Sequence, residues 1–108
     1  MSEISAVIEE NFKAEVLDSP VPVLVEFGAT WCHPCKALEP ILKNLAREWD
    51  GKVRLLSVDV DQSVNLTTTY NVMSVPTVFL FVKGQPVERL TGLQSRERLV
   101  QKFAAHLG

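Results

Sequence analysis

The sequence predicts an α/β domain with a mixed β-sheet that is parallel at its centre and antiparallel at one edge. Two apolar, β-branched runs at 21–29 and 53–60 are typical of buried strands, and an amphipathic helix separates them. Two further strands at 76–82 and 86–92, joined at 83–85, are close enough to form a hairpin, and a helix follows them. Alternating strands and helices followed by a hairpin indicate this architecture.

The longest predicted helix starts at the two cysteines, Cys32 and Cys35, and ends at Asp50-Gly51. Apolar residues recur along it at intervals of three and four, and charged residues take the opposite face. Pro34 fits the first turn, where the missing N–H is not required. The apolar positions are Leu38, Ile41, Leu42, Leu45, Ala46 and Trp49.

Shorter segments complete the predicted fold. Residues 4–8 form a short apolar stretch, and residues 11–19 are spaced as a short helix before Pro20. Residues 63–72 contain many β-branched side chains, and we interpret them as a short, poorly formed helix. Ser95 can cap the closing helix. The apolar residues of that helix are Leu99, Val100, Phe103, Ala104 and Leu107.

The composition is that of one compact domain without a nucleic-acid-binding surface. The chain has 108 residues, 46% hydrophobic and 22% charged, which suits a single core, and we expect one domain over 1–108. Eleven Lys and Arg against thirteen Asp and Glu give a formal net charge of −2, and no basic cluster is interleaved with aromatic residues. We therefore expect a monomer that does not bind nucleic acid.

The amino-terminal segment predicts a cytoplasmic location. "MSEISAVIEE" lacks a positively charged leader and an unbroken apolar stretch, and no later apolar run approaches the roughly 20 residues of a membrane span. We expect no association with a membrane. The sequence has neither a dinucleotide-binding glycine pattern nor a phosphate-binding loop, so we expect no bound cofactor and electrons carried on sulfur.

Both cysteines lie in "TWCHPCK", residues 30–36, with His33 between them. A disulfide between Cys32 and Cys35 closes so small a ring that it would add only about 2 kcal/mol, against roughly 4.7 kcal/mol for a long loop. At a helix start, free N–H groups and the helix dipole favour a thiolate on Cys32, which must stay accessible, whereas Cys35 faces inward. A Cys-x-x-Cys motif beside a βαβ pattern predicts redox chemistry.

Two unequal thiols suit thiol–disulfide exchange. Cys32 would attack a substrate disulfide, and Cys35, already beside the mixed disulfide, would resolve it. The products would be a reduced substrate and an oxidised Cys32–Cys35 pair. The alternative is two inert buried thiols, since free cysteine is among the most buried residue types.

A metal site is a further alternative for these titratable residues. Zinc needs about four ligands, and only His33 and the remote His106 could join the two cysteines. Asp59 and Asp61 fall at the end of a predicted strand, and we expect a solvated pair there. No metal is therefore predicted.

Further motifs make the chain resemble the thioredoxin family over essentially its whole length. "VLVEFGATWCHPCKALEPIL" is followed about forty residues on by "VPT", and then by "FVKG" and "TG". The resemblance implies the thioredoxin fold, with helices on both faces of the sheet, and a protein-disulfide reductase with Cys32 as nucleophile and Cys35 as resolving thiol. It also implies disulfide-containing protein substrates and re-reduction by a thioredoxin reductase that uses FAD and NADPH.

By the same resemblance, the residues that bind substrate are Trp31, Pro34, Val75, Pro76 and Gly92. Trp31 would lie at the rim of the site, Gly92 would line the groove, and the Val75-Pro76 bond would be cis and packed against the cysteines. An X-Pro bond is the one peptide for which cis is inexpensive, at roughly 0.5–1 kcal/mol. A cis bond there would expose the Val75 backbone for pairing with an extended substrate.

Three positions depart from the usual thioredoxin pattern. His33 replaces a glycine, and its protonated form would favour the Cys32 thiolate and make the couple more oxidising. Glu26 replaces a buried aspartate that moves the proton of the resolving cysteine, and Ser57 replaces a nearby lysine. Without a cationic partner, we expect Glu26 to have a raised pKa and to accept a proton near pH 7. Gly28 replaces a common aromatic residue, which would leave the site more open.

Other functions remain alternatives at this point. His33 could make the protein an oxidant or a disulfide isomerase. The groove around Trp31, Pro76 and Gly92 could instead hold a partner without any chemistry. Glu26 could point to water if its strand lay at the edge of the sheet, because glutamate is almost never fully buried unpaired.

Overall fold

The protein is described here by a computed structural model covering residues 4–107. Its centre is a five-stranded mixed sheet in the order β1-β3-β2-β4-β5, with β3 parallel to β1 and β2, and with β4 antiparallel to β2 and β5. The strands are β1 Ser5–Ala6, β2 Val23–Gly28, β3 Arg54–Asp59, β4 Thr77–Val82 and β5 Gln85–Thr91. The helices are α1 His33–Glu48, α2 Val64–Thr69 and α3 Arg96–Phe103, with a π-helical turn at Lys13–Leu17 and a 3-10 turn at Ala104–His106.

Each of the four long predicted strands is present within two residues of its expected bounds. The hairpin turn is one residue shorter than predicted, because Gln85 already belongs to β5. Lys83 and Gly84 form the turn with φ values of 52° and 81°, and a turn with two positive φ values matches the twist of the flanking strands. Outermost in the sheet, β5 carries Pro86 and mostly exposed side chains.

The strand β3 is less buried than the sequence predicts. Only Leu56 and Val58 are buried, and the other four residues of β3 are partly exposed. The reason is its outer neighbour, because β1 pairs with β3 only through Ser5 and Ala6. By contrast, five of the six residues of β2 are buried, since β3 and β4 flank it along almost its whole length.

Alternating side chains of the sheet form two hydrophobic cores, one on each face. One core contains Val25 and Phe27 of β2 and is covered by the π-helical turn and α2. The other contains Leu24 of β2 and is covered by α1 and α3. Glu26 is two residues from Leu24 and therefore faces α1, opposite Val78 of β4. The sheet thus presents one carboxyl group to its longest helix.

The buried face of α1 follows the spacing that the sequence predicts. Its buried residues are Cys35, Leu38, Leu42 and Leu45. Burial of this apolar stripe, together with the short connection from β2, fixes the amino terminus of α1 beside the carboxyl end of β2. The segment predicted as a poorly formed helix is α2, which has six residues and none buried. None of the helices found in residues 4–107 combines the length and apolar character needed to cross a bilayer.

Truncating the stripe of α1 should destabilise the fold. Replacing Leu42, which is fully buried, by alanine should lower the free energy of unfolding by about 2–5 kcal/mol, because a cavity replaces its side chain. Urea denaturation measures this change. The control is Leu93→Ala, which removes an exposed side chain and should change the free energy by less than about 0.5 kcal/mol. Equal effects would contradict the assignment of the core.

Candidate active site

Cys32 and Cys35 occupy the start of α1. Cys32 is the N-cap residue, with an extended backbone, and its Sγ accepts a hydrogen bond from the N–H of Cys35 at 3.2 Å. The two residues are joined by a disulfide, with 5.3 Å between their Cα atoms. His33 and Pro34 fill the first two helical positions, where proline is well tolerated. The structure is therefore the oxidised form of a dithiol pair at a helix N-terminus.

The surroundings of the two sulfurs differ. Cys35 is 1% exposed and packs inward, whereas Cys32 is 4% exposed and adjoins the exposed residues Trp31, His33 and Pro34. Cys32 is less accessible in this form than the sequence predicted, because its capping Sγ turns back over the helix start. A substrate can therefore approach only from the side of its exposed neighbours.

Among residues 4–107, Glu26 is the one charged residue that is buried, and it is 1% exposed. Within residues 4–107, neither of its carboxyl oxygens has a hydrogen-bond partner. Burial, and to a smaller extent the carboxylate of Glu39, raises the pKa of Glu26 from 4.5 to about 8. The raised pKa and the central strand agree with the sequence analysis, and the edge-strand alternative is wrong.

The carboxyl of Glu26 and the sulfur of Cys35 both lie next to Gly28. A Cβ atom on Gly28 would lie 3.2 Å from Cys35 Sγ and 3.5 Å from Glu26 Oε2. Beside these groups is a cavity of about 380 Å³ between the ends of β2 and β3 and the first turns of α1. Residues lining it include Glu26, Gly28, Lys36, Glu39, Ser57 and Asp59. The cavity reaches Glu26 and Gly28, but Cys35 stays buried, so the glycine at position 28 does not open the sulfur to solvent.

An apolar groove of about 370 Å³ lies on the other side of the cysteines, beside Trp31. Trp31 is 64% exposed, and its Nε1 donates a hydrogen bond to Asp61 Oδ2 at 2.8 Å. This role of Asp61 was not predicted from the sequence, which indicated a solvated pair with Asp59. Its position after β3 was the available signal, because the carboxyl ends of the parallel strands β2 and β3 meet at one edge. The groove is lined by Trp31, Val60, Thr67, Val72, Met73, Ser74 and Val75.

The other predicted substrate-binding residues are placed around this groove in different ways. The Val75-Pro76 peptide bond is cis, as the resemblance implied, and Val75 lines the groove whereas Pro76 is buried. Gly92 donates its N–H to the carbonyl oxygen of Pro76 at 2.7 Å, and the space above its Cα is open. Pro34 is exposed in α1. Trp31 and Val75 therefore line the same groove, and Gly92 is connected to it through its hydrogen bond to Pro76.

The two histidines lie in different surroundings. His33 is exposed at the first position of α1. His106 pairs with Glu88 of β5 at 3.0 Å, and its hydrogen bond, followed by that of Lys102, lowers the pKa of Glu88. No three His, Cys, Asp or Glu side chains in residues 4–107 are placed together so that they could hold a metal ion.

Comparison with known proteins agrees with this geometry. The family model described as Thioredoxin matches residues 3–105. The chain belongs to the thioredoxin family. Members of this family are protein-disulfide oxidoreductases that carry no prosthetic group, and the Cys32–Cys35 disulfide supplies the corresponding couple here. The chain is therefore a dithiol–disulfide oxidoreductase.

Three similar relatives show how far the thioredoxin likeness extends. Thioredoxin 1 of Nostoc sp. is 37% identical over 107 residues, covering 99% of this chain and 100% of that protein. The thioredoxin of Rickettsia felis is 42% identical over 94 residues, covering 87% of this chain and 90% of that protein. The thioredoxin of Staphylococcus aureus is 44% identical over 84 residues, covering 78% and 81% respectively.

The buried carboxyl should make the stability of this protein depend on pH. Between pH 4.5 and about 8, Glu26 is protonated in the folded chain and ionised in the unfolded chain, so the free energy of unfolding falls as pH rises. The slope from this group is at most about 1.4 kcal/mol per pH unit. In the Glu26→Gln variant this contribution should disappear, as measured by urea denaturation at several pH values.

The matched control for this measurement is Glu10→Gln, which changes an exposed glutamate. It should keep the pH slope of the parent protein. The same slope in both variants would show that Glu26 is not its source.

Proposed function

We propose that this oxidoreductase works as a reductant of protein disulfides, with Cys32 as nucleophile, Cys35 as resolving thiol and Glu26 as proton acceptor. The observation that carries the proposal is the asymmetry of the pair. Cys32 caps α1 next to exposed residues, whereas Cys35 is buried against Gly28 and Glu26. One sulfur can therefore meet a substrate while the other is held near a carboxyl group.

The first step is attack by the Cys32 thiolate of the reduced protein. The N–H groups and dipole at the start of α1 stabilise this thiolate. A bond forms between Cys32 Sγ and one substrate sulfur as the substrate disulfide breaks. The other substrate sulfur leaves with the bonding electron pair and takes a proton from water.

The second step resolves the mixed disulfide. Because the pKa of Glu26 is about 8, a minor fraction of its carboxyl is ionised near pH 7, and this carboxylate takes the thiol proton of Cys35. Cys35 then attacks Cys32 Sγ, which releases the second substrate sulfur as a thiolate. The substrate has gained two electrons, and the Cys32–Cys35 pair is oxidised. A pKa of about 8 suits Glu26 for this exchange near neutral pH.

The groove beside Trp31 supports a peptide substrate in extended form. Trp31 and Met73, which is 83% exposed, offer apolar surface next to Cys32. The partly exposed Val75 can pair its backbone with the substrate, and the open space above Gly92 permits close approach. Exposed Pro34 completes the surface around the sulfur. The substrates we propose are disulfide-containing proteins.

Continued turnover requires a source of electrons. We propose that a thioredoxin reductase with FAD and NADPH supplies these electrons. We also propose that this chain binds no cofactor and acts as a monomer. Both cysteines of the sequence belong to the redox pair, leaving none for structural disulfides. This cysteine usage fits the reducing cytoplasm.

A reduction assay tests the central proposal. The parent protein should reduce a disulfide-bonded protein with dithiothreitol as electron source, and Cys32→Ser should lose turnover by about 10³-fold or more, because the attacking thiolate is absent. Cys35→Ser is the matched control, since it should still attack and should accumulate a mixed disulfide detectable by mass spectrometry. No reduction by the parent protein would instead support a binding module without chemistry.

His33 provides a second test, on the redox potential. It is exposed next to Cys32, and its protonated form would favour the thiolate, although the helix dipole opposes a cation there. His33→Gly should make the couple more reducing by about 10–20 mV, the equivalent of a weak surface charge interaction. Equilibration with glutathione measures the potential.

The control is His106→Gln, which changes the histidine paired with Glu88 and should leave the potential unaltered. An unchanged potential in His33→Gly would remove this residue from redox tuning. A parent potential near that of glutathione would favour an oxidant or isomerase over a reductant.

A further inference from the structure

We propose that Gly28 is a positioning residue whose missing side chain lets the carboxyl of Glu26 face the sulfur of Cys35. Gly28 is the last residue of β2, directly before the segment that leads into α1. This inference rests on the proposed proton-accepting role of Glu26. It adds a neighbouring residue that acts only through the space it leaves free.

The backbone of position 28 does not itself require glycine. Gly51, Gly84 and Gly92 have φ values of 79°, 81° and 90°, which other residues rarely adopt, whereas Gly28 has no positive φ. Gly28 is paired in register with Asp59, and its carbonyl oxygen accepts a hydrogen bond from the Val60 N–H at 2.9 Å. An alanine could therefore adopt the same backbone, and the reason for glycine must be the space around it.

That space adjoins both groups that must exchange a proton. A Cβ on Gly28 would lie 3.2 Å from Cys35 Sγ, 3.5 Å from Cys35 Cβ and 3.5 Å from Glu26 Oε2. The contact with Glu26 is ordinary, but the contact with sulfur is tighter than an ordinary van der Waals contact, so the added methyl group or the sulfur would have to shift by a few tenths of an ångström.

A shift of the added methyl group towards the carboxyl of Glu26 is the less costly outcome. Cys35 is held by the buried start of α1, whereas the carboxyl ends a side chain with three rotatable bonds and borders the cavity of about 380 Å³. Alanine at position 28 should therefore press the carboxyl away from Cys35 and into this cavity. Burial is the larger cause of the raised pKa of Glu26 and Glu39 the smaller one, so leaving the apolar site should lower this pKa towards the ordinary value, with Lys36 favouring the change and the carboxylates of Glu39 and Asp59 opposing it.

The length of Glu26 matters for the same reason. Two of the three departures from the family pattern, Glu26 and Gly28, are thus neighbours around one sulfur. An aspartate at position 26 is shorter by one methylene and would withdraw its carboxyl from the position of the added methyl group. Glu26 and Gly28 should therefore behave as a coupled pair rather than as independent sites.

The test is the reduction assay between pH 5.5 and 9 with Gly28→Ala in two backgrounds, the parent protein and Glu26→Gln. In the parent, Gly28→Ala should slow turnover by about 10-fold or more and move the midpoint of the pH profile to lower pH. In Glu26→Gln, the same change should alter turnover by less than about twofold, because the carboxyl is already absent. The double variant Glu26→Asp with Gly28→Ala should be faster than Gly28→Ala alone.

A control variant separates a positioning effect from a loss of stability. Gly51→Ala strains a positive φ at the opposite end of α1 and should lose stability while keeping turnover and the pH midpoint. Equal loss from Gly28→Ala in both backgrounds, or an unchanged midpoint, would overturn the positioning role. Normal turnover in Glu26→Gln would overturn both this inference and the proton-accepting role of Glu26. If Cys32→Ser is inactive in the same assay, the proposed reduction of disulfides by Cys32 is still supported.

Discussion

The hydrogen bond from the Cys35 N–H to Cys32 Sγ is the contact on which the rest of the site depends. It makes a cysteine the N-cap of α1, so the helix start and the reactive sulfur are the same place. The buried stripe of α1 then holds that start against the end of β2. Because the helix dipole and free N–H groups act only near a terminus, no other position on α1 would favour a thiolate equally.

The second constraint is a carboxyl group buried without partners. Glu26 lies between Val25 and Phe27 in β2, where five of six residues are buried and an ionised group is costly, so the folded chain holds most of it protonated near neutral pH. The two hydrophobic cores offset this penalty, since they surround the strand on both faces. Stability is thereby reduced at the position where the proposed function needs a group that titrates close to neutral pH.

Much of this arrangement could be predicted from local sequence patterns. The spacing of apolar residues located α1 and the four long strands, and the Cys-x-x-Cys motif located the redox pair. The partial exposure of β3 could not be predicted, because it depends on a neighbouring strand of only two residues. The hydrogen bond from Trp31 to Asp61 joins residues 30 positions apart, and the short distance between Gly28 and Cys35 joins a strand to a helix. Neither contact leaves a local sequence pattern, so only the packing of the folded chain shows them.

The outer strand β5 bears on the proposed binding of extended protein segments. Such segments, or further copies of the chain, could add to the free border of the sheet. Pro86 offers no N–H to an incoming chain, and Pro86 lies on the strand that forms this border. The strand thereby discourages the addition of an extended chain at this edge.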